Sequence, residues 1–136
     1  MDNKELIETA IKISESAYCP YSAFHVGAAL LCGSGKVYTG VNVENASYGA
    51  GICAERSAAV QAVTNGEREF VKIAIFGKAE NSDELQYAFP CGICRQFLNE
   101  FAIKGMKVLV AKSVDDYIET TLQDLLPSSF GPENLK

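Results

Sequence analysis

The sequence predicts an α/β fold, in which a mixed sheet carries helices on both faces. Short apolar runs rich in β-branched residues, typical of buried strands, alternate with segments of helical periodicity. A glycine turn joins the first two strands as a hairpin, and helices separate the later strands. The resulting order, α-β-β-α-β-α-β, is typical of such a sheet. The chain shows no repeat or linker, so we expect one domain over residues 1–136.

The first half of the chain predicts one helix and a hairpin. Apolar residues at helical spacing indicate a helix over residues 6–17, which Pro20 ends. Residues 24–32, FHVGAALLC, have the composition of a strand. The turn GSG leads into a second strand over residues 36–45, and the two strands should pair with each other.

The second half predicts helices and buried strands in alternation. A helix should begin near Cys53 and end at the Asn-Gly pair 65–66, which is a normal helix stop. The remaining predicted elements are a strand over 71–77, a helix over 91–102, a strand over 106–112 and a short helix over 120–127.

Charge and composition exclude several classes of function. The formal net charge is -5, and Lys and Arg are scattered, so the surface is unsuited to nucleic-acid phosphates and to anionic membranes. No apolar run reaches the roughly 18 residues that span a bilayer, and the acidic N-terminus lacks a signal-peptide core. We therefore expect a cytoplasmic protein, whose five cysteines are buried, catalytic or metal-bound and do not form disulfides.

Three of the five cysteines lie at predicted helix starts. Cys53 opens one helix in ICAERSAA, and Cys91 and Cys94 open another in PCGICRQ. A helix N-terminus stabilises the thiolate that binds metal, and a pair at i, i+3 can hold one ion from a single helix face. Three protein ligands leave a position for water, which is the pattern of a catalytic zinc, whereas a structural zinc usually has four.

Charged residues beside these cysteines complete the predicted site. Glu55 follows Cys53 by two residues, so it could reach a zinc-activated water without binding the metal and could carry its proton. Three thiolates give Zn²⁺ an excess of negative charge, and an arginine that donates to a ligand sulfur would withdraw part of it. Arg56 and Arg95 are adjacent to the site in sequence, and we expect this role of Arg56.

Other interpretations of the cysteines remain open. A C-x-x-C pair also occurs in thioredoxin-like redox proteins, and a zinc with an unrecognised fourth ligand would make the chain a non-enzymatic structural module. Cys19 and Cys32 are expected to be ordinary buried or surface thiols. His25 is the only histidine; strand alternation should point it away from the face of Phe24, outside the predicted site.

The chain resembles the small homotetrameric zinc-dependent cytidine deaminases over nearly its whole length. The resemblance rests on YCPYSAFHVGAAL, GVNVENASYGAGICAER, PCGICRQ and LLPSSF, of which C-A-E-R with P-C-G-x-C-R-Q is the most specific part. It implies a three-layer α/β/α sandwich around a five-stranded mixed sheet, with the fifth strand near residues 117–120. It also implies one Zn²⁺ per subunit on Cys53, Cys91 and Cys94, with Glu55 as the proton carrier.

The resemblance assigns substrate contacts to four further positions. Asn42 and Glu44 would bind the ribose hydroxyls. Phe24 would pack against the pyrimidine, and the backbone of Ala54 would contact the base.

The resemblance also implies an assembly and a reaction. Tyr48 and Phe130 would complete neighbouring active sites across the subunit contacts of a homotetramer. The expected reaction is the hydrolytic deamination of cytidine, and of deoxycytidine, in pyrimidine salvage. The alternative within the same chemistry is a deaminase of another cytosine-containing small molecule, such as a nucleoside antibiotic.

Overall fold

The centre of the molecule is a five-stranded sheet. A computed structural model describes all of residues 1–136, with strands β1 (Phe24–Cys32), β2 (Val37–Val41), β3 (Phe70–Ala79), β4 (Ala102–Ala111) and β5 (Tyr117–Thr121). The strand order is β2-β1-β3-β4-β5. β3 and β4 run parallel, and the other three pairs are antiparallel, so the sheet is mixed. The predicted hairpin and the predicted fifth strand are both confirmed.

Helices cover both faces of the sheet, which confirms the three-layer α/β/α arrangement. They are α1 (Asn3–Ser14), α2 (Ala54–Thr64), α3 (Gly92–Asn99) and the single turn α4 (Leu122–Leu125). The chain also forms two short 3-10 turns, at Tyr48–Ala50 and Pro132–Asn134. None of the helices combines the length and the apolar character that crossing a bilayer would require.

Helix α1 packs closely on one face of the sheet. Leu6, Ile7 and Ala10 form a buried cluster with residues of β1, β3 and β4. Gly27 in β1 permits this approach, because a Cβ atom there would lie 2.1 Å from the backbone oxygen of Ala10. The helix is therefore seated on the strand backbone itself.

Helices α2, α3 and α4 pack on the opposite face. The inward residues of α2 are alanines, and they share a buried cluster with Leu98 of α3 and Leu122 of α4. A Cβ atom at Gly40 of β2 would lie 2.3 Å from the backbone nitrogen of Ala58. These small residues bring α2 against the sheet, which positions its first turn beside β1 and β2.

Two element boundaries in the first half differ from the predictions. Helix α1 ends at Ser14 and not at Ala17, because the chain beyond Ser14 leaves the helix and forms an edge contact. There the Tyr18 amide donates to the Asn42 carbonyl at 3.0 Å. The second strand ends at Val41 instead of residue 45, since the chain beyond it makes only isolated bridges.

Two boundaries in the second half also differ. Helix α3 ends at Asn99, and β4 begins at Ala102 where the sequence predicted that helix to continue. The extra length of β4 contains an irregularity in its pairing with β3, and Gly105 has a φ of 79° there. Glycine adopts this conformation without strain, and it interrupts the regular strand backbone at this point. The residues before it therefore lack the sequence pattern of a regular strand.

Candidate active site

The ends of two helices bring three cysteines together. Cys53 directly precedes α2, and Cys91 directly precedes α3, both with extended backbone, while Cys94 lies in the first turn of α3. The three sulfur atoms all lie within 4.8 Å of one another. The predicted cluster therefore forms, although its members come from segments 38 residues apart.

The sulfur positions fit a zinc ion. The Sγ atoms of Cys53 and Cys91 are 3.9 Å apart. Tetrahedral zinc with Zn–S bonds of about 2.3 Å places two sulfurs about 3.8 Å apart. Thiolate sulfur is also a preferred ligand of zinc, and both helix N-termini favour the negative charge. The donor set and its spacing thus support the predicted metal.

Hydrogen bonds among the three cysteines and Arg56 shift the pKa values of the thiols. A hydrogen bond from Cys94 lowers the pKa of Cys53 to about 5, and hydrogen bonds from Arg56 and Cys91 act in the same direction. The same contact with Cys53, together with burial, raises the pKa of Cys94. The lowered pKa of Cys53 favours the thiolate form that binds a metal.

Glu55 is a buried carboxyl group beside the cluster. It lies in the first turn of α2 and is only 5% exposed. Burial raises the pKa of Glu55 to about 7, and the negative charge of Cys53 adds to the rise. A carboxyl group whose pKa lies near neutrality can both take up and release a proton. This placement is what the predicted proton carrier requires.

The two arginines of the motifs have different partners. Arg56 donates from a terminal guanidinium nitrogen to the Sγ atom of Cys53 at 3.8 Å. Arg95 instead donates to the carbonyls of Pro90 and Leu125, at 2.7 and 2.8 Å. Arg56 is thus placed to withdraw charge from a ligand, whereas Arg95 ties the start of α3 to the C-terminal segment.

A cavity of about 550 Å³ opens above the cysteines. Its lining includes most of the predicted site residues, namely Phe24, Asn42, Glu44, Tyr48, Cys53, Ala54, Glu55, Arg56 and Cys91. This volume lies in the range of small-molecule sites. The sequence did not identify several other lining residues, including Ser22, Gln86 and Phe89, which lie outside the metal motifs.

Asn42 is held in place by the backbone of β1. Its side-chain oxygen accepts from the Val26 amide at 2.9 Å, and its side-chain nitrogen donates to the Phe24 carbonyl at 2.8 Å. An amide suits this position because its oxygen accepts while its nitrogen donates in one plane. The predicted ribose contact would use its remaining lone pair and N–H.

Glu44 is oriented by the loop that precedes β1. It accepts hydrogen bonds from the Tyr21 and Ser22 amides, at 3.0 and 3.1 Å, and from the Ser22 hydroxyl. The hydroxyl of Ser22 is the main cause that lowers the pKa of Glu44. Ser22 is thus a positioning residue that the sequence did not reveal, because it lies 22 residues from its partner.

Phe24 and Ala54 lie where a base could pack. The ring of Phe24 lies over Gly77 of β3, so closely that a Cβ atom there would be 2.8 Å from two ring carbons. Ala54 is fully buried at the start of α2. Their predicted contacts with the base stay predictions.

Tyr48 and Phe130 are both exposed apolar residues. Tyr48 is 82% exposed at the cavity and packs beside Tyr21, with ring centroids 6.1 Å apart. Phe130 is 59% exposed and does not line the cavity of its own chain. Their predicted role across subunit contacts therefore stays a prediction.

The chain is similar in sequence to known deaminases along nearly its whole length. The sequence model of the cytidine and deoxycytidylate deaminase zinc-binding region matches residues 1–110. A cytidine deaminase of Halalkalibacterium halodurans is 43% identical, over 99% of this chain and 98% of that protein. One of Sporosarcina psychrophila is 42% identical, over 99% of this chain and 96% of that protein.

Solved structures show the same likeness in three dimensions. A cytidine deaminase from Burkholderia pseudomallei matches with a TM-score of 0.86 and 42% identity, over 96% of this chain and all of that chain. One from Mycobacterium tuberculosis matches with a TM-score of 0.78 and 37% identity, over 96% of this chain and 98% of that chain. From the matched region, the identities and the folds, we conclude that the chain belongs to the cytidine and deoxycytidylate deaminase zinc-binding family.

Proposed function

We propose that this chain hydrolyses the amino group of cytidine and deoxycytidine, giving uridine or deoxyuridine and ammonia, as a step of pyrimidine salvage. One observation carries the proposal: three cysteine sulfurs lie at a spacing that suits zinc, and two of them, those of Cys53 and Cys91, line one cavity with the buried carboxyl group of Glu55. A structural zinc would not need such a carboxyl group. The similarity to proteins named cytidine deaminases supports the choice of substrate.

Cys53, Cys91 and Cys94 would hold the zinc. When bound, the ion supplies a water of lowered pKa that can attack C4 of the cytosine ring. Glu55 would take up one proton of the attacking water and deliver it to N3, and would then pass the second water proton to the amino group, which leaves as ammonia. Its burial removes competing solvent from this path. Arg56 moderates the negative charge of the ligand set through its contact with Cys53.

Four other residues would orient the nucleoside. Asn42 and Glu44 bind the ribose hydroxyls. Hydrogen bonds fix both side chains in place, those of Asn42 to the β1 backbone and those of Glu44 to the loop before β1. Phe24 packs against the pyrimidine, and the Ala54 backbone contacts the base. Such fixed contacts bring C4 to the reacting groups without a further entropy cost.

The assembly we propose is a homotetramer, in which Tyr48 and Phe130 reach neighbouring active sites. The support is their exposure together with that of Ile93, which is 66% exposed in the first turn of α3. Aromatic residues are enriched at protein–protein interfaces, which supports this placement of Tyr48 and Phe130. Analytical ultracentrifugation should give a mass of four times 14.7 kDa, and a fully active monomer would contradict the proposal.

We also propose that residues 1–136 act as one domain in the cytoplasm. All five cysteines are free, and a site made of three thiolates suits a reducing compartment.

The reaction is tested by following the ultraviolet absorbance of cytidine with purified protein. The absorbance should fall with time, and a zinc chelator should abolish the change while zinc restores it. Glu55→Gln is the matched control, because it keeps the size of the side chain and all three sulfurs. The proposal fails if zinc-loaded protein leaves cytidine unchanged.

Substrate size gives a second test. Arg56 is the only basic residue that lines the cavity, and it already donates to a cysteine sulfur. No free cation is therefore present to pair with a phosphate, and Glu44 would repel one. Cytidine should react with a much higher kcat/KM than its 5′-monophosphate, and free cytosine should react poorly because it lacks the ribose. Equal efficiency on the monophosphate would contradict this.

A further inference from the structure

A second group of metal-ligating side chains lies on the other face of the sheet. The sulfur of Cys19, a ring nitrogen of His25 and a carboxylate oxygen of Glu80 all lie within 4.8 Å of one another. His25 follows Phe24 in β1, so strand alternation directs it away from the cavity above the three cysteines. The group is thus separate from the proposed catalytic centre.

Backbone hydrogen bonds hold the three side chains in place. The Ala23 amide donates to the Cys19 carbonyl at 2.9 Å, and the Glu80 amide donates to the Ala23 carbonyl at 2.8 Å. His25 pairs with Lys78 in the ladder between β1 and β3. The loop before β1 and the end of β3 therefore form one frame, and little ordering would be needed for an ion to bind.

His25 has one nitrogen with a partner and one without. Its Nε2 atom lies 2.6 Å from Oε1 of Glu80, whereas its Nδ1 atom is buried and has no hydrogen-bond partner. Cys19 is also buried, at 6% exposure, and forms no disulfide. Cys19 therefore has unused capacity to bind a ligand, and Nε2 of His25, which already faces Glu80, is the ring nitrogen that an ion would contact.

From this geometry we propose that Cys19, His25 and Glu80 form a second metal site, which takes a divalent transition-metal ion such as Zn²⁺. A thiolate, an imidazole and a carboxylate are the three ligand types that zinc uses in proteins. One thiolate and one carboxylate neutralise the ion, so a neutral site forms in a half-buried position.

The site needs only a small adjustment and is open to solvent. Two light-atom ligands of tetrahedral zinc lie about 3.3 Å apart, so the Glu80 oxygen must withdraw by about 0.7 Å from its present 2.6 Å contact. The Glu80 side chain is 53% exposed and is free to do so. His25 and Glu80 also line a cavity of about 340 Å³ with Glu15 and Lys78, which gives an ion a path of entry.

The test counts bound zinc in wild-type protein and in matched variants. Each protein is dialysed against buffers of increasing free Zn²⁺, and zinc per chain is measured by elemental analysis. Wild type should bind about one more zinc per chain than Cys19→Ser, His25→Gln or Glu80→Gln. Cys32→Ser is the matched control, because Cys32 is also a buried free cysteine but lies outside the group, and it should bind as many ions as wild type. The readout is this difference in bound zinc, so the test does not depend on whether the protein deaminates cytidine.

Two results would overturn the proposal. One is a zinc count for His25→Gln equal to that of wild type, which would mean that His25–Glu80 is only a surface hydrogen bond. The other comes from spectroscopy and needs no variant to fold: Co²⁺ added to wild type that has been loaded with only one zinc per chain, at its three-cysteine cluster, should give a thiolate-to-cobalt charge-transfer band. This band should be missing in Cys19→Ser, and its absence from wild type would exclude Cys19 as a ligand.

Discussion

Gly77→Ala tests whether the position of Phe24 controls substrate binding. A Cβ atom at residue 77 would lie 2.8 Å from two carbons of the Phe24 ring and 2.9 Å from the Cβ atom of Ala88. Ordinary contacts begin at 3.4 Å, so the ring would have to move by about 0.6 Å. Ala88 crowds the same Cβ atom, and Phe24 lines the cavity, so we expect the ring to shift toward the cavity.

The expected size of the effect follows from the overlap. Overpacking of this kind costs about 1–3 kcal/mol. If all of that cost falls on the complex with substrate, kcat/KM for cytidine falls by roughly 5- to 150-fold. The loss should come mainly from a raised KM, because Phe24 is proposed to contact the base and not the reacting groups. Zinc content should stay at that of wild type.

Steady-state kinetics and metal analysis check this prediction. Gly49→Ala is the control, because a Cβ atom there has no neighbour within 4 Å. Phe24→Leu in the Gly77→Ala background should relieve the crowding, so that the double variant loses less than the two single losses combined. An unchanged KM in folded, zinc-loaded Gly77→Ala would refute the reasoning.

Three further predictions concern proton transfer, metal charge and substrate binding. Glu55→Gln should keep about one zinc per chain by metal analysis, yet lose more than the roughly 10²- to 10⁴-fold of a single acid–base role, because Glu55 serves more than one proton transfer; a variant with a tenth of the wild-type rate would rule this out. Arg56→Gln should slow turnover with zinc retained, since Arg56 donates to Cys53, and adding Cys53→His should recover part of the rate because neutral imidazole removes a negative charge. A double-mutant cycle should show a coupling of about 0.5–3 kcal/mol, and strictly additive losses would argue against a charge effect. Ser22→Ala should raise the pKa of Glu44, because the Ser22 hydroxyl holds it down. In wild type, the lowered pKa keeps the Glu44 carboxylate ionised until the pH falls through that pKa, so the acid limb of the kcat/KM profile should move to higher pH in Ser22→Ala. Acid limbs at the same pH in wild type and variant would contradict this role of Ser22.

The metal motif could be predicted because its information is local. Cys91 and Cys94 lie one turn apart at the start of one helix, and Cys53 and Glu55 lie at the start of another helix. Helix geometry alone directs such side chains toward one end of the helix. The order of apolar segments likewise predicted the mixed sheet and its two helical layers, since each amphipathic element must bury one face.

Element boundaries were less predictable because distant partners set them. The end of α1 at Ser14 depends on the bridge that Tyr18 makes near Asn42, and the early start of β4 depends on its irregular pairing with β3. Neither interaction leaves a periodic pattern in the segment itself.

Residue pairs that lie far apart in sequence required the folded chain. Both Arg56 and Arg95 follow a motif residue, yet only Arg56 reaches a sulfur, because the C-terminal segment supplies a carbonyl that holds Arg95. The contact of Ser22 with Glu44, and the group of Cys19 with His25 and Glu80, join the loop before β1 to other parts of the chain. Spacing along the chain predicts side-chain direction within one helix or strand, whereas the meeting of two elements depends on the packing of the whole sheet.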